Sequence, residues 1–324
     1  LANYTGAKYS IGVGNATDGL EFSWMALGLK PGDEVICCSH TMLATASAII
    51  TAGGTPVPVE MNEDDCLIDP DAIEDAINEN TVGIMPTQLN GRVCRMDRIM
   101  SIASKKGLAV VEDAAQALGA RFKGQHAGTF GDASAISFFP AKVMGCLGDG
   151  GGILTNSENL FDKMYQLHDH GRDFKGEVKS WGRNSRLDNL QAAILNFKLE
   201  NYSEVINRRR EIASIYNEQL SLLEELILPP PPVLDSDNFD IYQNYELQAQ
   251  NRDGLKKHLS DNNIGTLIQW GGKGVHQWKY LGFDSVLPKV ESFFDKCIML
   301  PMNTFITDDD VHYVCNAVKE FYRK

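Results

Sequence analysis

The sequence lacks any apolar run of the eighteen or more residues that a membrane-spanning helix needs. Its first residues, LANYTGAKYS, hold no basic stretch followed by an apolar one of the kind that directs secretion. A soluble, cytoplasmic protein is expected. A positive charge balance is also absent: 30 basic residues face 43 acidic ones, a formal charge of −13. That balance leaves no electrostatic footprint for nucleic acid, so any phosphate has to be bound locally. The one dense basic run, Arg208-Arg209-Arg210 beside Glu211, reads as a solvated helix face with internal ion pairs. No CxxC pair occurs among Cys37, Cys38, Cys66, Cys94, Cys146, Cys297 and Cys315, which excludes the common zinc and dithiol spacings and predicts buried, reduced thiols and no metal. The chain has neither the Gly-Lys-Ser/Thr of a P-loop nor a GxGxxG fingerprint, which disfavours a nucleotide-binding module of the doubly wound class. It also starts without methionine, in what reads as the end of a helix, so native residues ahead of Leu1 are expected.

What is present is enough to bury a core. At 324 residues and 43% hydrophobic content, two domains are the natural expectation. Apolar β-rich runs at Asp33–Cys38, Gly54–Met61, Thr81–Gln88, Leu108–Asp113, Ala133–Phe139 and Gly151–Thr155 alternate with helical patterns such as Asp18–Leu27 and Asp97–Lys106. Such alternation predicts a mainly parallel α/β sheet with helices on both faces, and ligands in such sheets collect at the carboxyl ends of the strands. From Asp188 to about Leu223 the pattern is helical, and Pro229-Pro230-Pro231-Pro232 then breaks it in a stiff, extended connection. A domain boundary falls in this region, and we divide the chain into a large domain, 1–207, and a smaller C-terminal α+β domain, 208–324. Helices are expected at Asp253–Asp261 and Asp308–Tyr322, each opened by an acidic N-cap.

Three segments carry chemistry. In VVEDAAQALGA an apolar strand ends on Glu112-Asp113; taken alone, Asp113 reads as the N-cap of a following helix. In ISFFPAKVMGCLGDGGGILTN a strand ends near Pro140, and Lys142 enters a loop followed by Gly145, Gly148, Gly150, Gly151 and Gly152. A lone lysine after a strand is usually a surface residue, but apolar Phe138-Phe139 before it and glycines after it favour burial close to a ligand. Burial lowers the amine's pKa and supplies the neutral nucleophile of Schiff-base chemistry. In GVGNATDGL small residues, Gly14 to Thr17, precede a helix starting near Asp18, a cradle of backbone N–H groups for phosphate.

In combination these motifs resemble a family, the DegT/DnrJ/EryC1/StrS aminotransferases. The resemblance runs from YTGAKYSIGVGNATDGL through GDEVICCSHTMLAT, VVEDAAQALGA, GTFGDASAISFFPAK, GDGGGILTN and NSRLDNLQAAI to MLPMNTFITDDDVHYVCNAV. It implies the aspartate-aminotransferase fold and pyridoxal 5'-phosphate (PLP/PMP) as cofactor. Carried over position by position, Lys142 matches the lysine that forms the internal aldimine and moves the proton. Asp113 matches the carboxylate that pairs with the pyridinium nitrogen, and Gln116 the residue near the phenolic oxygen. Ala16, Thr17 and Asp18 match the phosphate turn, Ser137 a hydroxyl donating to it, and His40 the position where the family carries an aromatic ring stacked on the cofactor. Asn184 matches an asparagine reaching the phosphate of a neighbouring subunit, which implies a homodimer with a shared site.

Members that became sugar dehydratases replace the lysine with histidine, so Lys142 points to transamination. The resemblance implies transfer of an amino group from an amino acid, expected to be L-glutamate, to a nucleotide-linked keto sugar, in the manner of the 3-oxo-glucuronate nucleotide aminotransferases. Arg186 matches an arginine near their substrate site. Where those enzymes carry His-Tyr-Pro this chain has Gln269-Trp270-Gly271-Gly272-Lys273-Gly274, so Gln269, Trp270 and Lys273 are the candidate substrate contacts; His276 is given no role. Two alternatives stay open at this point: a cyclitol or other secondary-metabolite ketone as acceptor, and a catalytically inactive, PLP-binding regulatory relative.

Overall fold

The structure is a computed structural model, in which residues 1–233 and 236–323 are described. Six of the seven strands of the central sheet point one way. Their order across the sheet is Tyr9–Val13, Gly151–Thr155, Ala133–Ser137, Ala109–Asp113, Thr81–Met85, Glu34–Cys38 and Thr55–Val59. Only Gly151–Thr155 is reversed, pairing antiparallel with both neighbours; the others pair in parallel. This is the mixed, mainly parallel α/β sheet expected from the alternation. The runs are short and apolar because helices cover both faces: Val35, Ile36, Cys37, Ile84, Met85, Val111 and Ile136 are fully buried. Five of the six expected strand runs are shorter than the sequence suggested, and the edge strand Tyr9–Val13 was not anticipated. Its Gly12 and polar Ser10 weaken the β signal.

Helix Ala16–Leu27 packs across the sheet through Leu20 and Trp24 and is capped by Asn15, whose side chain accepts from the Asp18 amide. The long helical stretch is two helices, Asn189–Glu200 and Tyr202–Leu220, separated at Asn201. The second bridges two cores: Tyr202 and Ile206 pack with the residues under the central sheet. Ile212, Ala213, Tyr216 and Leu220 pack with a second cluster around the antiparallel sheet Leu226–Ile227, Tyr245–Ala249 and Cys297–Leu300. The proline run follows Leu226–Ile227 and so lies beside this smaller sheet. The helix Asp308–Tyr322 is present as expected, but Thr307 caps it, in a reciprocal capping box with Asp310; the helix Arg252–Asp261 starts after Asn251.

The basic run is not a uniformly solvated face. Arg209 is buried, with Nε donating to the Tyr242 carbonyl at 2.8 Å and Nη2 to the Gln243 carbonyl at 2.7 Å. Burial lowers its pKa to about 10. Arg208 pairs with Asp308 at 2.7 Å and with Glu211 at 3.3 Å. All seven cysteines are free thiols, six of them buried and Cys66 half-buried. Among the described residues, no helix is long and apolar enough to cross a membrane, and no group of three or more His, Cys, Asp or Glu could hold a metal ion.

Candidate active site

The carboxyl ends of the parallel strands open into a cleft of about 1250 Å³, its mouth included. The loop after Ala133–Ser137 brings Lys142 into it, and the strand Ala109–Asp113 ends on Asp113 in its floor. The segment after Asp113 turns without forming a helix, so Asp113 caps nothing. It is 3% exposed, accepts from Thr45 Oγ1 at 2.7 Å on Oδ2, and accepts from the Ala115 amide at 3.2 Å on Oδ1. Burial raises its pKa; the Thr45 hydrogen bond, the Ala115 amide and the charge of Lys142 lower it. Lys142 is shifted the other way: burial lowers the amine's pKa, and Asp113 partly restores it. A poised amine and a buried carboxylate thus face one cleft.

The lysine loop is tight. The Lys142 amide donates to the Phe139 carbonyl at 2.9 Å, and a Cβ at Gly145 would lie 2.6 Å from the Pro140 carbonyl oxygen. Opposite, the first turn of helix Ala16–Leu27 lines the cleft through Asn15, Ala16 and Thr17, and Ser137 adds a hydroxyl. The Asp18 amide is spent on Asn15 Oδ1 at 2.9 Å, and the Asp18 carboxylate accepts from Ser185 Oγ at 2.6 Å and Asn15 Nδ2 at 3.0 Å. Asp18 therefore braces the turn from outside the cleft, while the amides of Ala16 and Thr17 remain at the helix N-terminus. Gln116 lines the cleft with Oε1 held by the Asn90 amide at 2.8 Å, which leaves its NH2 group to a ligand.

Four further candidates lie outside the wall of this cleft, and of these Asn184 was expected to serve a neighbouring subunit's site rather than this one. His40 is 1% exposed and outside the cleft wall: its Nδ1 lies 2.8 Å from the Cys66 carbonyl, its Nε2 3.4 Å from Glu246, and its ring packs against Phe293. Of this segment Thr41, Met42 and Ala44 line the cleft, and Met42 is 49% exposed. Lys273 is exposed and sits over the Trp278 ring at 5.1 Å. Asn184 and Arg186 are exposed outside this cleft, with Arg186 Nε donating to Asn184 Oδ1 at 3.1 Å. Gln269 and Trp270 do line the cleft. Gln269 Nε2 donates to Asn90 Oδ1 at 3.0 Å and Glu246 Oε2 at 2.9 Å, so its Oε1 is the atom left to accept from a ligand.

Thr41, Thr45, Thr87, Met42, Gln243 and Asn244 complete the surroundings and were not singled out in the sequence. They come from separate segments, and nothing in their spacing brings them together. His276, given no role from sequence, joins two parts of the chain: its Nδ1 lies 2.6 Å from Ser39 Oγ and its Nε2 3.1 Å from Glu291 Oε1.

A mixed, mainly parallel sheet whose carboxyl edge presents a poised lysine against a buried carboxylate defines an α/β enzyme of the aminotransferase class. The family model for the DegT/DnrJ/EryC1/StrS aminotransferases matches residues 1–319, and the chain belongs to that family. It is 36% identical to a Pseudomonas aeruginosa UDP-2-acetamido-2-deoxy-3-oxo-D-glucuronate aminotransferase, over 98% of this chain and 88% of that protein. It is also 36% identical to a Geobacillus stearothermophilus pleiotropic regulatory protein, over 100% of this chain and 87% of that protein. Among solved structures, NtdA from Bacillus subtilis with bound cofactor PMP superimposes with a TM-score of 0.89 at 29% identity, covering 100% of this chain and 75% of that one.

Proposed function

We propose that this chain is a PLP-dependent aminotransferase that moves an amino group from L-glutamate to a nucleotide-linked keto sugar. The observation that carries the proposal is the placement of Lys142 and Asp113 in one cleft, each with its proton affinity moved by burial. The donor set suits the cofactor. Two first-turn amides and the Ser137 hydroxyl form a neutral anion cradle, and Asp113 supplies a buried negative charge for a ring cation. When bound, the cofactor supplies a protonated ring that draws electron density from the carbon losing its proton.

The rest belongs to the protein. Lys142 Nζ would hold the cofactor and, as a neutral amine, would take and return the proton. Asp113 would supply the charge that pairs with the ring nitrogen, the amides of Ala16 and Thr17 with Ser137 would hold the phosphate, and Gln116 would donate to the phenolic oxygen. Gln269 and Trp270 form the acceptor wall, where a carbonyl oxygen and an indole suit sugar hydroxyls and ring faces. The keto-sugar substrate is supported by the name of the Pseudomonas aeruginosa relative.

Lys142 is the only cationic side chain among the described residues lining the cleft, so the cofactor phosphate needs charge from elsewhere. We assign the missing groups to a second copy of the chain: Asn184 as a neutral donor to the phosphate, and beside it Arg186, which brings the charge. Their segment also exposes Trp181 at 96% and Val178 at 70%, apolar surface of the kind that marks an interface. The two cores that meet along helix Tyr202–Leu220 support reading the chain as two domains divided within that helix. Seven free thiols suit a reducing, cytoplasmic setting.

The name of the Geobacillus stearothermophilus relative favours a second reading, a cofactor-binding regulator without turnover. One experiment separates the two: the near-visible absorption spectrum of the protein with PLP, before and after L-glutamate, in wild type and Lys142→Ala. An aminotransferase shows a cofactor band that is lost on adding glutamate and is absent in Lys142→Ala; a regulator keeps its band unchanged. If glutamate converts the cofactor, a panel of nucleotide keto sugars then tests the acceptor.

A further inference from the structure

Three threonine hydroxyls run in series beneath the cleft and end on Asp113. Thr45 Oγ1 lies 2.7 Å from Asp113 Oδ2, Thr41 Oγ1 2.7 Å from Thr45 Oγ1, and Thr87 Oγ1 2.9 Å from Thr41 Oγ1. All three residues are 5% exposed or less. They come from three segments: Thr41 from the loop after Glu34–Cys38, Thr45 from the first turn of helix Leu43–Thr51, and Thr87 from two residues beyond strand Thr81–Met85, where it forms an isolated bridge with Asp113.

The carboxylate fixes the direction of every bond. A hydroxyl has one proton to donate, and an ionised carboxylate can only accept. Thr45 therefore donates to Asp113, Thr41 donates to Thr45, and Thr87 donates to Thr41. Aligned in this way the hydroxyls polarise one another, so Oδ2 receives a stronger hydrogen bond than a lone threonine would give. Burial works against charge on Asp113, and the Thr45 hydrogen bond is the largest of the influences that offset it.

We infer that Thr45, backed in turn by Thr41 and Thr87, is a positioning residue that holds Asp113 ionised and in one orientation for a cationic ring. This inference rests on the cofactor reading proposed above. The relay acts through Asp113, so it sets how tightly the cofactor is held and over what pH range, without touching the reacting atoms.

The test compares Thr45→Val, which keeps the shape, with Thr45→Ser, which keeps the hydroxyl. In each holoenzyme the PLP dissociation constant and the pH titration of the cofactor's near-visible band are measured. The expected result for Thr45→Val is a dissociation constant raised roughly tenfold or more, the scale of a hydrogen bond to a charged group, and an acid limb of the titration displaced to higher pH. Thr45→Ser restores both, and Thr41→Val and Thr87→Val follow in decreasing order. A Thr45→Val protein with wild-type affinity and titration overturns the relay while leaving the cofactor reading intact, and so do equal losses in Thr45→Val and Thr45→Ser. If Thr45→Val does not fold, Thr41→Val carries the test, and wild-type values there overturn the relay. A wild type that forms no band with PLP overturns the cofactor reading and the relay together.

Discussion

Gly151 lies so close to Asn15 that a Cβ on the glycine would stand 2.5 Å from the asparagine's carbonyl carbon and 2.7 Å from the Ala16 nitrogen. The glycines after Lys142 thus hold the reversed strand against the turn that opens helix Ala16–Leu27, the same turn proposed to bind phosphate. Both contacts are to backbone, which cannot swing aside as a side chain would. We expect Gly151→Ala to displace the turn, weaken cofactor binding by tenfold or more, and cost about 1–3 kcal/mol of stability from overpacking. Titration with PLP and urea unfolding check both; an alanine variant with wild-type affinity refutes the proposed role of the turn.

Lys142 and Asp113 give a pH prediction with a definite sign. The amine attaches the cofactor only when neutral, so attachment increases as pH rises through the lowered pKa of Lys142. Asp113 is the charge that partly restores that pKa, so Asp113→Asn should move the limb further toward acid. The pH dependence of Lys142 labelling by an amine-reactive reagent in the apoprotein measures this directly; a limb moving toward alkali contradicts it. Lys142→Ala itself should lower transamination by at least about 100-fold, the lower end of general acid–base contributions.

Much of this was legible in the sequence, for physical reasons. Strands buried on both faces are short apolar runs whichever way their side chains point, so five of the six parallel strands and the reversed strand were readable. Lys142 and Asp113 stood out because a strand end, glycines and small residues frame each. The burial of His40 and the exposure of Met42 in the cleft were not readable, because two residues in a loop after a strand differ in burial for reasons that no periodicity records. The threonines behind Asp113 were invisible: each is an ordinary residue in its own segment, and only the sheet brings them together. Lys273, Asn184 and Arg186 lie in loops, where tertiary packing alone decides which way a side chain faces.

Met42 lies in the cleft wall where His40 was expected, and it gives a simple substitution test. If the thioether packs on the cofactor ring, Met42→Ala removes that contact and should weaken PLP binding by about tenfold, the equivalent of roughly 1.5 kcal/mol of lost burial. Met42→Phe, which offers a ring face, should restore most of it. His40→Ala should instead lower stability, because it empties a site packed against Phe293 and Phe294. PLP titration and thermal unfolding of the three variants distinguish the roles, and the assignment fails if His40→Ala is the variant that loses cofactor.

Ser39, His276 and Glu291 tie the end of strand Glu34–Cys38 to the C-terminal part of the chain, and the proton arrangement follows from the partners. Glu291 only accepts when ionised, so the Nε2 of a neutral His276 carries the proton and donates at 3.1 Å; Nδ1 is then an acceptor for the Ser39 hydroxyl at 2.6 Å. The Val275 amide also donates to the Ser39 carbonyl at 2.9 Å. Because Ser39 is fully buried, removing the imidazole leaves its O–H without an acceptor, at a cost of about 1–3 kcal/mol, while the amide of residue 276 still donates to its Oγ at 3.3 Å. The loop that Ser39 opens continues to Thr41 and Met42 in the cleft, so a loosened clamp should also reduce cofactor affinity. We therefore expect His276→Ala to lose both stability and PLP binding, and Ser39→Ala to lose less, since it removes the group that would be stranded. The double variant should be no worse than His276→Ala alone, a coupling that urea unfolding of all four proteins would measure. Simple additivity of the two single effects would show that Ser39 and His276 do not act as one clamp.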